Sequence, residues 1–328
     1  MKPLLLLLVG LSAVLTAAQK APDKAPRMRD GHPDLTGNWS YATLTTLERP
    51  KELGNKAMLT DAEAADLEKK ILAVQNRDRR DGEGPDGRGT DGRTDLDRAY
   101  GQAWWEYGSK LVGTRRTSLI VDPPDGRIPT LTADGERRAA DKRGLWTANG
   151  EYEGGARGAS FDSYAERPLQ ERCLGWTVTG PPMIPGAYNN NLAVYQNADH
   201  VVIINEMVHE QRIIPVDGRP QIAASIHQWM GSSRGRWQGD TLVVESANFR
   251  PMVFRSASEK LRLTERFTRV NRDTLIYEFT VDDPLTWMKP WTAQFPMTRM
   301  DEPVFEYACH EGNYSLPNIL AGARKLAE

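Results

Sequence analysis

The spacing of hydrophobic positions changes along the chain, from helical in the first third to strand-like in the second half. In the first third, the stretch MLTDAEAADLEKKILAVQNRD predicts an amphipathic helix, and Thr60 with Glu63 matches the capping box that opens one. The apolar residues that recur at helical spacing are Ala64, Leu67, Ile71 and Val74. The next stretch, RRDGEGPDGRGTDGRTD, offers no apolar side chain to bury and indicates a surface loop.

The middle of the chain carries shorter patterns. TSLIVDPPDGRIPTL predicts a hairpin around residues 123–126, and ADGERRAADKRGLW predicts a short charged helix. From about Asn191 onward, short apolar runs alternate with turn-forming residues at nearly hairpin-length intervals. The turn-forming positions are 197–199, 217–218, 239–240 and 271–273.

Strands joined in sequence by tight turns form an antiparallel meander. A long meander with one apolar face tends to close on itself, because closure removes its edges. The pattern therefore predicts a mainly β fold: an antiparallel up-and-down (lipocalin-like) barrel or a strongly curved sheet, with N-terminal helical and loop elaborations. Residues 35–328 are expected to form this single β-rich domain, with the helical and loop insertion at about 57–115.

The N-terminus has the three parts of a secretory signal peptide. Lys2 precedes an apolar run over residues 3–15, and small residues at positions 16–18 suit cleavage near Ala18. The run is too short to span a bilayer, so we expect a periplasmic or secreted chain without membrane insertion. Residues 19–34 are rich in Pro, Lys, Arg and Asp and lack periodicity, which predicts a disordered arm.

Charge and cysteine content narrow the functional classes. The formal net charge of −2 gives no electrostatic reason to expect nucleic acid as a partner. Cys173 and Cys309 are the only two cysteines, and in an oxidising compartment such a pair predicts one disulfide. Closing so long a loop stabilises by roughly 4 kcal/mol on the chain-entropy model. A catalytic thiol is the alternative.

Two glycine patterns imitate known motifs without their structural context. Residues 82–87 spell G-x-G-x-x-G, but no strand precedes them and Pro85 interrupts them. Residues 231–235 spell G-x-S-x-G, yet the following RGRWQGDTLVVES continues as strand, turn and strand rather than as the helix that a nucleophile elbow needs. Neither a dinucleotide site nor a serine nucleophile is predicted.

Eight motifs occur together across the mature chain: GNWS, DPPDGRIPTLT, ERCLGW, NNNLAVYQ, RGRWQGDTLVVESANF, ERFTRV, YEFTVDDP and YACHEGNY. As a set they resemble a family of exported bacterial proteins common in environmental bacteria. The resemblance implies a signal peptide and an exported barrel, and it assigns no catalytic residues. The Gly-x-Trp opening followed by a meander is also similar to lipocalin-like (calycin) barrels, whose lumen holds small ligands.

Glu265 is a carboxylate in an otherwise apolar strand face. In KLRLTERFTRV it shares that face with Leu261, Leu263 and Phe267. Burying a carboxylate costs several kcal/mol unless a cation or donors meet it, so Glu265 is either a catalytic acid or base or half of a structural Glu–Arg pair. The possible partners in that pair are Arg212, Arg266 and Arg299.

A polar island interrupts the apolar stretch VVIINEMVHEQRII. It is either a solvated hairpin tip or a polar site inside the barrel, and Met207 with Val208 at its centre favours the buried site. In that interpretation Glu206 is a catalytic acid or base and His209 its proton-transfer partner, while Arg212 binds a substrate carboxylate or developing charge. A satisfied core network is the alternative for each residue.

Aromatic residues supply candidate substrate-binding surfaces. His227 and Trp229 lie two residues apart in SIHQWMG and would share a face on a strand. Trp287 could add stacking surface for a sugar or an aromatic ring. Ordinary core packing is the alternative for these tryptophans.

EYACHEGNY places three further candidates beside Cys309, at the expected rim of the barrel. His310 is a candidate catalytic residue, and Glu311 and Asn313 are candidate substrate-binding residues. His209, His227, His310 and Glu311 could in principle gather around zinc, but no H-E-x-x-H or similar spacing supports a metal site. No cofactor is predicted, and a divalent metal is the disfavoured alternative.

These candidates predict an exported, cofactor-independent hydrolase or lyase that uses Glu/His acid–base chemistry in a barrel cavity. The expected partner is a small-molecule or oligosaccharide substrate, a carbohydrate or a plant-derived aromatic. The competing hypothesis is a lipocalin-like periplasmic binding protein for a small apolar ligand. A structural envelope protein with a filled barrel is the third.

Overall fold

The computed structural model describes residues 24–76, 102, 105–140, 161–167, 169–176, 178–187, 189–251 and 253–327. The predicted signal peptide and the G-x-G-x-x-G pattern at residues 82–87 lie outside the described residues. Three α-helices are described, α1 (Asp61–Gln75), α2 (Ala133–Ala140) and α3 (Ser315–Ala327).

A single ten-stranded antiparallel sheet dominates the described part of the chain. Its strands are β1 (Gly37–Ser40), β2 (Ile120–Asp122), β3 (Asn191–Gln196), β4 (His200–Asn205), β5 (Gln211–Pro215), β6 (Ser232–Gln238), β7 (Thr241–Ala247), β8 (Arg262–Arg269), β9 (Thr274–Asp282) and β10 (Trp291–Met300). The prediction of a mainly β, antiparallel fold is confirmed.

The helix predicted after residue 57 is confirmed as α1, together with its cap. The Thr60 hydroxyl accepts a hydrogen bond from the Glu63 amide, and the Glu63 carboxylate accepts one from the Thr60 amide. The predicted apolar stripe is incomplete, because Ala64 is buried whereas Val74 is 71% exposed. The short charged helix is confirmed as α2.

The predicted hairpin around residues 123–126 is wrong, although its turn forms. The Gly126 amide donates to the Pro123 carbonyl, as the turn-forming residues indicate. The strand that leads into the turn, β2, pairs with β10 rather than with the residues that follow it. The pairing partner lies some 170 residues away, and local sequence carries no information about it.

The strand order is β5-β4-β3-β1-β10-β9-β8-β7-β6, and β2 pairs beside β1 with the other half of β10. Every neighbouring pair along this nine-strand path is antiparallel. Strand direction therefore reverses eight times from β5 to β6. An even number of reversals leaves the two edge strands running in the same direction.

The sheet curls until its edge strands meet, but no ladder of backbone hydrogen bonds joins β5 to β6 among the described residues. The edges touch through side chains: Arg212 Nη2 donates to Ser233 Oγ at 3.3 Å, and Gly235 lies against Val216 and Ile214. The strongly curved sheet is thus the alternative that forms, and the closed barrel is not. We call the unpaired junction of β5 and β6 the seam.

The concave face of the sheet is packed with large apolar side chains. Alternate residues of β8, β9 and β10 are fully buried there, including Phe267, Tyr277 and Phe295. The ring centroid of Tyr277 lies 5.0 Å from that of Phe267 and 5.2 Å from that of Phe295. These large side chains fill the part of the concave face that they cover.

The segment before β1 lies against one end of the sheet. Arg27 forms an ion pair with Asp240 at the tip of the β6–β7 hairpin, at 2.7 Å. The imidazole of His32 stacks on Trp237, with ring centroids 4.6 Å apart. These contacts connect part of the predicted arm to the domain.

Candidate functional site

A cavity of about 630 Å³ opens at the seam. Its walls are the turn before β5, the start of β5, the start of β6 and the connection over residues 216–231. The polar residues that line it are His209, Glu210, Gln211, Arg212, Gln228, Ser232, Ser233, Arg234 and His310. The apolar and aromatic residues that line it include Leu174, Val208, Ile213, Ile222, Trp229 and Met230.

Arg212 and Glu265 form a buried ion pair at the base of the cavity. Arg212 Nη1 donates to Glu265 Oε1 at 2.9 Å, and Nη2 donates to Oε2 at 2.5 Å. Tyr277 adds a third donor, with its hydroxyl 2.8 Å from Glu265 Oε1. Of the alternatives open for Glu265, the contacts match the structural Glu–Arg pair, with Arg212 as the partner.

The electrostatics of this base follow from its burial. Burial lowers the pKa of Arg212, but the charge and hydrogen bonds of Glu265 outweigh that effect and leave the pKa above its ordinary value. Burial, followed by the Glu265 charge, raises the pKa of Tyr277 well above its usual range. Arg212 therefore stays charged and Tyr277 stays protonated at physiological pH.

His209 is held in one tautomer on a strained turn. Its Nδ1 lies 2.9 Å from the Tyr307 carbonyl oxygen, which only accepts hydrogen bonds, so Nδ1 carries the proton and Nε2 is the basic nitrogen. Val208 and His209 have φ angles of 50° and 43°, in the left-handed region that a β-branched valine rarely adopts. Strain of this kind concentrates at functional turns.

Glu210 follows directly and is half-buried in the cavity wall. Burial raises the pKa of its carboxyl above the usual range, and the positive charges of Arg212 and His209 offset part of that rise. Its β-strand parity with Arg212 brings it to the same side of the chain. Glu210 is absent from the sequence-predicted site residues, although that parity was visible in the sequence.

The segment that contains His310 is tied to this turn at three points. The Phe305 amide donates to Glu206 Oε1 at 3.3 Å, the Tyr307 carbonyl accepts from His209, and Cys309 is disulfide-bonded to Cys173. The predicted disulfide is confirmed. These ties bring the His310 ring to 6.4 Å from the His209 ring, so both imidazoles line the cavity.

Glu206 lies beside the site rather than in it. Its side chain is buried and accepts a hydrogen bond from Asn191 Nδ2 at 2.7 Å, in addition to the one from the Phe305 amide. It does not line the cavity. Its contacts match the satisfied network that was the alternative to catalysis.

Trp229 forms an aromatic wall of the cavity and attracts two guanidinium groups. The Arg250 guanidinium lies 4.7 Å from its ring centroid, and that of Arg172 lies 5.5 Å away. Residues 221–231 are not a strand, so His227 and Trp229 do not share a strand face as expected. The exposed His227 donates from Nδ1 to the Phe249 carbonyl and does not line the cavity.

Three other predicted substrate-binding residues lie away from the cavity. Trp287 is buried in the core, with its ring 6.0 Å from that of Trp291. Glu311 is exposed. Asn313 donates to the Glu171 carbonyl at 3.4 Å and lines a separate cavity of about 430 Å³ under α3. The chain thus gathers His209, His310, Arg212 and Trp229 and separates the others.

No protein-family model, curated protein or solved structure matches the chain.

The described residues contain no cluster of three or more His, Cys, Asp and Glu side chains suited to hold a metal ion. None of the helices there combines the length and apolar character needed to cross a bilayer.

Sequence reasoning also missed Arg234, which lines the cavity from β6. Its Nε donates to the Pro220 carbonyl at 2.8 Å, and Nη1 donates to the Ser233 carbonyl at 2.7 Å. The motif RGRWQGD was recognised as strand and turn, but strand parity alone places Arg234 on the outer face. The connection over residues 216–231 folds back over that face and turns it into a cavity wall.

Proposed function

We propose that this protein is an exported hydrolase or lyase that works by acid–base chemistry, without an organic cofactor, in the cavity at the seam. One observation carries the proposal: Glu210, His209 and His310 line the same cavity. A carboxyl and imidazoles around one cavity are the groups that most often transfer protons in enzymes. The expected substrate is a carbohydrate or a plant-derived aromatic molecule.

The surroundings of each group support a distinct role. His209 has a fixed tautomer whose Nε2 can accept a proton from a substrate or a water molecule. Glu210, with its raised pKa, holds a proton to a higher pH than an exposed glutamate and suits the general acid. His310 is a second proton carrier, with its ring 6.4 Å from that of His209.

Export is supported by the N-terminal apolar run and by the disulfide. A disulfide between cysteines 136 residues apart is typical of proteins that fold in an oxidising compartment. The disulfide also has a role in the site, because it positions His310.

Turnover by the purified mature protein tests the proposal. The protein would be incubated with a panel of oligosaccharides, aryl glycosides and aromatic esters, and the products identified by mass spectrometry. On the substrate that reacts, Glu210→Gln and His209→Asn are each expected to lower kcat about 10²- to 10⁴-fold. Control variants are Glu278→Gln and His200→Asn, which remove the same groups outside the cavity. Full activity of Glu210→Gln and His209→Asn would refute the mechanism.

Binding without turnover is the second candidate function. It is favoured by the state of Glu265 and Glu206, two predicted catalytic carboxylates that are held by structural hydrogen bonds. A protein that binds a ligand at the cavity and releases it unchanged fits this arrangement. Saturable binding of a panel compound that is recovered intact after long incubation would favour this function.

A further inference from the structure

We propose that the molecule bound at the seam carries a carboxylate group, and that Arg234 binds this group while Trp229 lies beside the attached sugar or aromatic ring. This inference rests on the proposed function, because it assigns a ligand class to the same cavity. A guanidinium matches the planar geometry of a carboxylate and binds it through paired hydrogen bonds.

Arg234 is positioned by neutral groups only. Its donors meet the carbonyl oxygens of Pro220 and Ser233 and, at 3.3 Å, the hydroxyl of Ser232. These contacts orient the guanidinium without neutralising it. None of the carboxylates in the described residues forms an ion pair with Arg234.

The carboxylate best placed to neutralise Arg234 is engaged elsewhere. Glu245 on β7 lies directly opposite Arg234 in the strand register. It forms its ion pair instead with Arg236, at 3.1 Å. Arg234 and Arg236 lie on the same face of β6, two residues apart. Of these two arginines, only Arg234 lacks a carboxylate partner within the described part of the chain.

The remaining charges around the cavity also favour an anion. Arg172 and Arg250 bring two further guanidinium groups to the Trp229 side of the cavity. Glu210 is the one carboxylate among the lining residues that the structure describes. It does not balance the charge of Arg212, which is already matched by Glu265 beneath it. The cavity thus has an excess of cationic groups.

Cavity size is consistent with a ring-sized ligand. A volume of about 630 Å³ falls within the range of roughly 300–1,000 Å³ that is typical of small-molecule sites. The carboxylate can belong to a sugar acid or to an aromatic acid, and the two share the chemistry that Arg234 recognises.

Calorimetric titration of the mature protein at low ionic strength tests this inference without any need for turnover. Glucuronate and benzoate are the acidic probes, and glucose and benzyl alcohol are their neutral counterparts. We expect one or both acids to bind at least tenfold more tightly than the neutral counterpart. Binding of glucuronate alone identifies a sugar acid, and binding of benzoate alone identifies an aromatic acid.

Three variants assign the effect to Arg234. Arg234→Gln is expected to weaken acid binding about ten- to a hundredfold, and Arg234→Lys, which keeps the charge, less than that. Arg266→Gln, which removes a guanidinium paired with Glu278 outside the cavity, should leave affinity unchanged. Circular dichroism of each variant checks that the sheet is intact.

Several results would overturn the inference. They are equal affinity for acid and neutral probe, no detectable binding of either acid, or equal loss of affinity in Arg234→Gln and Arg266→Gln. The result for the proposed function is separate. Tight acid binding through Arg234, with full turnover by Glu210→Gln, would keep this inference and refute the mechanism; turnover of neutral substrates that needs Glu210 would do the reverse.

Discussion

At the scale of single residues, the ion pair of Arg212 and Glu265 fixes the base of the cavity. Both side chains are almost completely buried, at 3% and 0% exposure. Two charges removed from water are tolerated only when each meets the other and further hydrogen-bond partners. Here Tyr277 donates to Glu265, and Ser233 accepts from Arg212. The pair links β5 to β8 across the concave face and thereby limits how far β5 can move away from β6 at the seam.

Glu265→Gln should lower the free energy of unfolding by about 3–5 kcal/mol, because it leaves the Arg212 charge buried without a partner. Urea denaturation followed by tryptophan fluorescence measures the loss. The control is Glu278→Gln on β9, whose more exposed ion pair with Arg266 spans 3.8 Å and is worth less than about 1 kcal/mol. A loss for Glu265→Gln as small as that of the control would contradict the assigned role.

Glu210 predicts a dependence of stability on pH. Because folding raises the pKa of this carboxyl, its contribution to stability is complete below the unfolded value of about 4.3 and is lost as pH rises through the folded value. Glu210→Gln should therefore be more stable than the natural protein at neutral pH and similar to it at acidic pH. Urea denaturation across this pH range measures the difference. Identical pH profiles for the two proteins would contradict the shift.

Residue parity in the sequence located Glu265 correctly, but not its function. Alternation along β8 predicts that Glu265 lies among apolar side chains, which it does. Which arginine forms the ion pair with Glu265 depends on how β5 is placed relative to β8. The alternation of apolar residues along either strand carries no information about that placement. The same limit explains Arg234, whose exposure to the cavity depends on the path of a connection without periodic pattern.

At the scale of elements, the C-terminal segment completes the site. It leaves β10 at Met300, runs past the β4–β5 turn and continues into α3, which buries no side chain among its described residues. Cys309 lies in an irregular segment between the last strand and α3. The sequence patterns did not predict α3, which has little contact with the sheet.

Removal of the disulfide should affect stability and the site together. The disulfide closes a loop of 136 residues, so Cys173→Ser with Cys309→Ser should lower the free energy of unfolding by several kcal/mol. If a substrate is found, the variant should also lose activity, since one of the three ties that hold His310 at the cavity is removed. Denaturation and kinetics measure the two effects. Unchanged kcat in the folded variant would show that the disulfide is not needed to position His310.

At the scale of the whole molecule, the number of strands decides the form of the sheet. The meanders β3–β5 and β6–β10 follow from turn-forming residues and were predictable. Strand β1 was not predicted to lie between β3 and β10, since it joins residues separated by more than 150 positions in each pairing. An all-antiparallel path of eight strands has antiparallel edges that could pair; this path includes β1 and has nine strands, so its edges run parallel.

Gly235 lies at a close contact between the two edges of the sheet. A Cβ atom there would lie 2.7 Å from Val216 Cγ1, so Gly235→Ala should force the edges apart and cost about 1–3 kcal/mol in urea denaturation. Gly113→Ala is the matched control, because nothing lies within 4 Å of its Cβ position and the expected change is within about 0.5 kcal/mol. Equal stability of the two variants would show that the edges do not press together at this point.

The parallel edges also determine where the sheet opens most easily. Separating any other two neighbours on the nine-strand path breaks a row of main-chain hydrogen bonds, but parting β5 from β6 breaks only contacts between side chains. Thermal fluctuations should therefore widen the entrance at this junction while the rest of the sheet keeps its amide protons protected from exchange. A guest molecule larger than the resting opening could enter there without unfolding its host.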